Sequence, residues 1–451
     1  MKVQRINLEE MLAAREKRAE IQSSMLGGKE GSCLVCLTLN IAGDIKRTPM
    51  TVLLFRRGVE RFDALGFDIS ERLEIDEATG SEAFWLVNED EENVKRQLEA
   101  VEDSFPAARL YDFDVLVNDN AGIEDMPAGI RKISRAEARK CLICGRPAAE
   151  CARSRRHGLD AVKAVTGTLL TDFCVDMLAE AAYDSLLREL YTTPKPGLVD
   201  LANCGAHTDM DVPLFEKSAE SLRPYFHDAV RLGIEGCGMT ELRARGLEAE
   251  IEMFRVTGGV NTYKGAVYSM GLILAGMGRV LRCDTEIPCE VTADMALRYA
   301  SELASEDAEK QLAAALRAPE TNGGNALKNF GARGAAGEAA AGFPDAEYCA
   351  SRLRSYTEQN AGPEIAGALA FCDSMARLED TNLLHRGGRE GLDHARAEAS
   401  RISGIDDLEM RIRELRLLDD DMIRRGLSPG GSADMLALAF LLERWRYYIG
   451  D

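Results

Sequence analysis

The chain has 451 residues, 46% of them aliphatic, aromatic or cysteine and 29% charged, a globular composition long enough for two or three domains with cores of their own. Lys and Arg number 55 against 75 Asp and Glu, a net charge of -20, which argues against non-specific binding to nucleic acid or to an anionic membrane surface. A polyanionic ligand must therefore meet a local basic site or bring a divalent cation.

The N-terminal "MKVQRINLEEMLAAREKRAE" is charged throughout and lacks the apolar core and cleavage site of a signal peptide, so a cytoplasmic location is expected. Residues 8 to 26 read as helix, and "CLVCLTLNIAG" has the apolar, β-branched density of a buried strand. "EAFWLVN" and "ARLYDFDVLVND" read as further strands, with a helix over "DEENVKRQLEAVEDSF" from the spacing of Val94, Leu98 and Val101. Asp112 and Asp114 stand two apart on their strand, so both point to one face. Such a pair can hold magnesium against a triphosphate, as in many nucleotidyltransferases, although a strand with one solvated face gives the same pattern.

"RKCLICGRPAAECARSRRHG" carries Cys141, Cys144, Cys151 and His157, a ligand number that suits structural zinc, with a gap before Cys151 shorter than in the common fingers. Lys140, Arg146, Arg153, Arg155 and Arg156 make this the densest basic cluster in an acidic chain, either a phosphate-facing patch or a solvated face. The twelve cysteines follow no regular framework, which suits a reducing compartment.

From about Leu169 the strand signals fade and apolar residues recur at three- and four-residue spacing. The apolar run from Gly265 to Gly278 is too short for a bilayer and reads as a buried helix. The loops "TTPKPGLVD", "TGGVNTYKG", "APETNGG", "GARGAAGEAAAGFP", "DTNLLHRGG" and "SPGGSAD" are richer than a helical bundle needs, which suggests a shared site at one end of the bundle. Pro194 and Pro196 hold Lys195 in a stiff extended turn. His207, Asp209 and Asp211 alternate and could surround magnesium, while Asp211 could equally cap the next helix. A glycine pair and Lys264 stand where a helix N-terminus favours an anion, but Tyr263 and Gly265 exclude a Walker A loop. In "SPGGSAD", Ser432 and Asp434 occupy capping positions.

Together "TPKPGLVD", "GAHTDMD", "TGGVNTYKG", "DTNLLHRGG" and "SPGGSADMLAL" resemble the triphosphoribosyl-dephospho-CoA synthase family of citrate lyase biogenesis. "LAAREKRAEIQ", "LTLNIAGDIK", "RLYDFDVLV" and "RKCLICGRPAAECARSRRH" resemble the citrate lyase phosphoribosyl-dephospho-CoA transferase, the next enzyme of the same route. The resemblance implies a fusion. Residues 1–167 would form a mixed α+β domain of nucleotidyltransferase type, and residues 168–451 an all-α helical domain.

The implied partners are ATP, 3'-dephospho-CoA and the citrate lyase acyl carrier protein (gamma subunit), with no nucleic acid and no membrane. The implied cofactor is magnesium, at Asp112 and Asp114 and at Asp209 and Asp211. His207, Asp209, Asp211 and Glu338 are the expected catalytic residues. Lys195, Asn261, Lys264, Arg333, Asp380, Arg386, Ser428 and Asp434, with Lys46 and Arg153 in the first half, are the expected substrate contacts. The chain departs from the family pattern at Ala336, where arginine is usual and Arg333 stands three residues earlier, at Tyr263 in place of the histidine of "NTHKG", and at Ala42 in place of a proline. Two rival readings are a magnesium-dependent N-glycosidic hydrolase and a zinc-bearing scaffold that docks an acyl carrier protein.

Overall fold

The computed structural model describes residues 3–450 apart from 28, 30, 119–128, 283–290 and 306–326. It divides into two compact units, one formed chiefly by residues up to Cys174 and the other chiefly from Val175 onward.

The first unit is an α+β fold. Helix α1 (Leu8–Leu26) opens on a capping box in which Asn7 Oδ1 accepts from the Glu10 N–H at 2.9 Å and Glu10 Oε2 from the Asn7 N–H at 2.7 Å. There follow β1 (Cys33–Leu39), α2 (Pro49–Asp63), β2 (Ile69–Glu77), β3 (Gly80–Val87), α3 (Glu91–Glu102), β4 (Tyr111–Asn118), β5 (Ile130–Lys132) and the short α4 (Ala148–Arg153). The strands form one sheet in the order β2-β3-β1-β4-β5, antiparallel at every pairing.

Alternation along the strands sends Val35, Leu37, Trp85, Phe113 and Val115 into a core shared with Leu54, Val59 and Phe62 of α2 and Leu98 of α3. The opposite set, Leu34, Cys36, Phe84, Leu86 and Leu116, meets Met25 and Leu26 of α1. Both faces of β1 are therefore buried, which is why its sequence shows no polar alternation. The expectations missed β2, which lies at the sheet edge. Its "ISERLEIDE" is largely exposed, and charges on an edge strand discourage pairing with another chain.

The second unit is built from helices. Helix α5 (Leu159–Tyr191), which belongs to this unit from Val175 and to the first unit before it, is followed by α6 (Val212–Glu235), α7 (Met239–Val256), α8 (Lys264–Leu281), α9 (Asp294–Ser305), α10 (Gly334–Ala340), α11 (Pro344–Glu358), α12 (Pro363–Met375), α13 (Thr381–Ser403), α14 (Leu408–Arg425) and α15 (Gly430–Ile449). The apolar run read as a buried helix is α8, buried along nearly its whole length. Its glycines permit close backbone approach: a Cβ on Gly276 would lie 2.1 Å from the Ala296 carbonyl of α9, and one on Gly278 2.2 Å from that of Val230 in α6. No described helix is long and apolar enough to cross a membrane.

A buried ionic knot ties four of these helices. Asp373 accepts from Ser403 Oγ and Arg411 Nη2 at 2.6 Å each on one oxygen, and from Tyr356 Oη at 2.6 Å and Arg352 Nε at 2.7 Å on the other. Burial alone would raise the Asp373 pKa, but these donors hold it below the ordinary value.

Two stretches expected as loops are partly helical. "GARGAAGEAAAGFP" contains α10, and most of "DTNLLHRGG" forms the first turns of α13, broken only at Gly388 (φ 61°, ψ -159°). "APETNGG" lies outside the described residues. All ten described cysteines are free thiols.

Candidate active sites

In the helical unit the proline-rich turn is held by two carboxylates. Asp200 accepts from the backbone N–H of Lys195 at 3.0 Å, Ala202 at 2.7 Å and Asn203 at 3.2 Å. Asp419, on α14, accepts from the Gly197 N–H at 2.8 Å and from Asn203 Nδ2 at 2.7 Å. Gly197 has φ 76°, and a Cβ there would lie 2.2 Å from the Leu427 carbonyl, so glycine lets this turn run against the entrance to α15. Lys195 is 1% exposed and its Nζ lies 2.5 Å from Glu189 Oε1, also buried. Its charge is met inside the protein, in contrast to the expected role in neutralising a triphosphate.

His207 sits between Arg386 and Ser428. Its Nδ1 lies 3.1 Å from Arg386 Nη2 and its Nε2 2.8 Å from Ser428 Oγ. A guanidinium only donates, so Nδ1 is the acceptor and Nε2 carries the proton toward Ser428. Burial, and then the charge of Arg386, pushes the His207 pKa below its ordinary value, with Asp209 opposing from 3.9 Å. Arg386 also donates to the carbonyls of Ala206 at 3.0 Å and Gly426 at 3.3 Å. Of the paired aspartates, Asp209 is exposed at 60%, whereas Asp211 caps α6 by accepting from the Leu214 N–H at 2.9 Å.

The remaining motifs meet nearby residues in a similar way. Asp380 is a double cap: one oxygen accepts from the N–H groups of Asn382 (2.9 Å) and Leu383 (3.3 Å) at the start of α13, the other from Ser432 N–H (2.8 Å) and Oγ (3.1 Å) at the start of α15. Burial nevertheless raises its pKa. Asp434 is raised well above the ordinary value by burial and then by Glu189 and Asp380, and its Oδ2 stands 2.2 Å from where a Cβ on Gly265 would be. Beside it Tyr263 is 3% exposed, stacks edge-on against Phe215 and leaves its hydroxyl without a hydrogen-bond partner among the described residues.

Asn261 Oδ1 accepts from the Lys264 N–H at 3.3 Å, and Lys264 Nζ pairs with Glu250 at 2.9 Å. Arg333 is exposed at the entrance to α10, whose Gly334 lies against Thr381, and Ala336 lies within α10. Glu338 Oε1 accepts from the N–H groups of Asp345 (2.7 Å) and Ala346 (3.1 Å), and burial pushes its pKa up to about 7, with Asp345 adding to the rise. These contacts link "GAHTDMD" and "DTNLLHRGG" to "SPGGSAD", "TTPKPGLVD" to Asp419 and to Leu427 just before that stretch, "TYKG" to "SPGGSAD", and "GARG" to "DTN". Glu189, Asp200 and Asp419 are the residues that sequence reasoning did not single out.

In the α+β unit Asp112 and Asp114 do share one face of β4, the face that α1 covers. Asp112 lies 3.2 Å from Arg139 Nη2, and Asp114 is ion-paired with Lys132. Burial, then the neighbouring Asp112, raises the Asp114 pKa. Lys46 is half-buried, donates to the Ile41 carbonyl and has its pKa lowered by burial, whereas Arg153 is exposed on α4. The side-chain ligand atoms of Cys141, Cys144, Cys151 and His157 all lie within 4.8 Å of one another.

An exposed arginine and an exposed aspartate beside a neutral histidine suit an enzyme that transfers an anionic group. Comparison with known proteins specifies the group. Residues 176–450 match the family model of ATP:dephospho-CoA triphosphoribosyl transferase, and residues 6–173 that of apo-citrate lyase phosphoribosyl-dephospho-CoA transferase. The protein CitXG of Haemophilus influenzae is 32% identical over 98% of this chain and 97% of its own length. A CitXG of Leuconostoc mesenteroides subsp. cremoris is 29% identical over the same shares. The 2-(5''-triphosphoribosyl)-3'-dephosphocoenzyme-A synthase of Haemophilus ducreyi is 35% identical over 66% of this chain and 97% of its own. The chain belongs to the ATP:dephospho-CoA triphosphoribosyl transferase family, fused to a citrate lyase phosphoribosyl-dephospho-CoA transferase. It is a bifunctional transferase of citrate lyase prosthetic-group synthesis.

Proposed function

We propose that residues 168–451 join ATP to 3'-dephospho-CoA and that residues 1–167, in the manner of a nucleotidyltransferase, pass the product to the citrate lyase acyl carrier protein, both in the cytoplasm. In the first reaction the 2'-hydroxyl of dephospho-CoA bonds to C1 of the ATP ribose. The bond from C1 to adenine breaks, the hydroxyl proton ends on adenine, and the triphosphate stays on the ribose. In the second, a serine hydroxyl of the carrier protein attacks the phosphorus next to the ribose, and pyrophosphate leaves with the serine proton. The observation that carries the reading is the linkage of the "GAHTDMD", "DTNLLHRGG" and "SPGGSAD" stretches through His207, Arg386 and Ser428.

Departure of adenine gives the ribose oxocarbenium character, so the reaction needs negative charge near C1 and a proton for the base. Glu338, with its pKa near 7, is the proton donor in this reading. Arg386, Arg333 and Lys264 receive the triphosphate. His207 positions Ser428, and Asn261, Asp380 and the Lys195–Glu189 pair position the loops that bind substrate.

The hard carboxylate oxygens of Asp209 and Asp434 suit magnesium, since Asp209 is exposed and Asp434 carries a raised pKa that a cation would relieve. Asp211 is less suited, because one of its oxygens already caps α6. In the first unit, Asp112 and Asp114 have the same hard donors, and Arg139 and Lys132 beside them are placed to turn toward phosphate. Magnesium at either site would neutralise triphosphate charge.

The test is incubation with ATP, magnesium and 3'-dephospho-CoA, with chromatography for free adenine. Adenine that appears only when dephospho-CoA is present supports the synthase reading, and adenine from ATP alone would indicate a hydrolase. Asp112→Asn should abolish carrier-protein labelling while adenine release continues; loss of both would contradict separate sites.

A further inference from the structure

We propose that Cys141, Cys144, Cys151 and His157 form a closed structural zinc site that folds residues 134–158 and fixes the arginines between its ligands. The inference is independent of how the two transfer steps are divided.

The chain builds the site in two halves. The first is a tight turn: the Cys141 N–H donates to the Arg146 carbonyl at 2.6 Å and the Gly145 N–H to that of Cys141 at 3.2 Å, with Gly145 at φ 71°. The backbone N–H groups of Ile143 and Cys144 interact with the Cys141 sulfur, an arrangement that would support a metal-held thiolate. The second half is α4, which carries Cys151. It ends with Arg155 in the left-handed region (φ 45°), where glycine is the usual residue, and with the Arg156 N–H bonded to the Cys151 carbonyl at 3.1 Å. That turn returns the chain so that His157 faces Cys144.

The distances fit a metal. With Zn–S near 2.3 Å and Zn–N near 2.0 Å, the edges of a tetrahedron are about 3.8 Å between sulfurs and about 3.5 Å between sulfur and nitrogen. Cys144 Sγ lies 3.5 Å from Cys151 Sγ and 3.3 Å from His157 Nε2. The sulfurs are far beyond the ~2.05 Å of a disulfide. Three thiols and an imidazole select zinc over magnesium, and because the protein supplies all four ligands there is no open position for substrate.

Burial gives the second, independent argument. From Ser134 to Gly158 a single residue is buried, and it is Cys151. Leu142 reaches the sheet core only partly. A stretch of this length with no core of its own needs a staple. The ligands supply one at the place where packing does not. Its consequence is electrostatic. Arg153, Arg155 and Arg156 lie between the third and fourth ligands, so the metal sets the spacing of three guanidiniums that would otherwise stand on an unanchored surface segment.

The full-length protein, produced in zinc-supplied medium and gel-filtered, is analysed by plasma mass spectrometry, and the cobalt-substituted form by visible absorption. We expect about one zinc per chain, a thiolate-to-cobalt charge-transfer band, and loss of both in Cys144→Ser and in His157→Ala. These residues are the exposed and half-buried ligands, so the variants keep the sheet, as circular dichroism would show. Protein that contains no zinc and takes none up when reduced would overturn the proposal. So would a full equivalent retained when Cys144→Ser and His157→Ala are combined in one chain, or a native disulfide between any two of the three cysteines.

Discussion

The buried pair of Lys195 and Glu189 makes a quantitative prediction. Replacing Lys195 by Met keeps the volume of the stem but leaves Glu189 buried without a counter-ion. Leaving a carboxylate so placed costs about 3–5 kcal/mol, and the variant's escape is to bind a proton. Holding a glutamate protonated at pH 7.0 when its ordinary pKa is 4.5 costs about 1.36 kcal/mol for each of 2.5 pH units, or about 3.4 kcal/mol. At pH 5.5 the same sum is about 1.4 kcal/mol.

The sign follows from linkage. A carboxyl whose folded pKa is raised keeps its stability at low pH and loses it as pH rises above the unfolded value. Lys195→Met should therefore destabilise the helical unit by about 3 kcal/mol near neutrality and by about 2 kcal/mol less at pH 5.5. Lys195→Met with Glu189→Gln should recover most of the loss and remove its pH dependence. The assay is urea unfolding followed by far-ultraviolet circular dichroism at both pH values. A loss that is the same at both, or a double variant no more stable than the single one, would refute the reasoning.

Two further outcomes are expected. Arg386→Gln removes the cation that helps to hold His207 neutral, so the His207 pKa should rise toward its ordinary 6.5 while burial keeps it below that value; an imidazole NMR titration reads this directly, and an unmoved midpoint would contradict the role given to the Arg386 charge. With Glu338 at about 7, adenine release should decline as pH rises through that value, since the protonated form is the donor, and Glu338→Gln should remove that limb along with most of the rate; a decline that persists in the variant would assign the proton to another group.

What was legible in the sequence was local. Helix α1 and strands β1, β3 and β4 announce themselves by caps and apolar density, and the helical half by its three- and four-residue spacing. Helix α2 also carries its signals, Thr48 as N-cap, Pro49 at the first position and apolar residues at Val52, Phe55, Val59 and Phe62, but they are weaker than those of the neighbouring strands. The glycine pair made "DTNLLHRGG" read as a loop, although Asp380 marks the start of a helix. Asp419 was out of reach for another reason. It holds Gly197 across 222 residues of chain, and no periodicity encodes a contact at that range.

The site residues were found as types, but their division of labour follows from which oxygens the backbone already uses. Asp211 and Asp380 each accept from N–H groups at the start of a helix, and Asp200 and Asp419 from those of the proline turn. These carboxylates fix where loops begin. Asp209 and Asp434 have no such duty: one is exposed beside His207, and the other faces the first turn of α8, its pKa raised by burial and by two neighbouring carboxylates. Removing Asp209 or Asp434 therefore leaves every helix cap intact, whereas removing Asp380 opens two helices at once. The sequence shows these acids as equals, and the hydrogen bonds separate those that hold the loops from those free to meet a ligand.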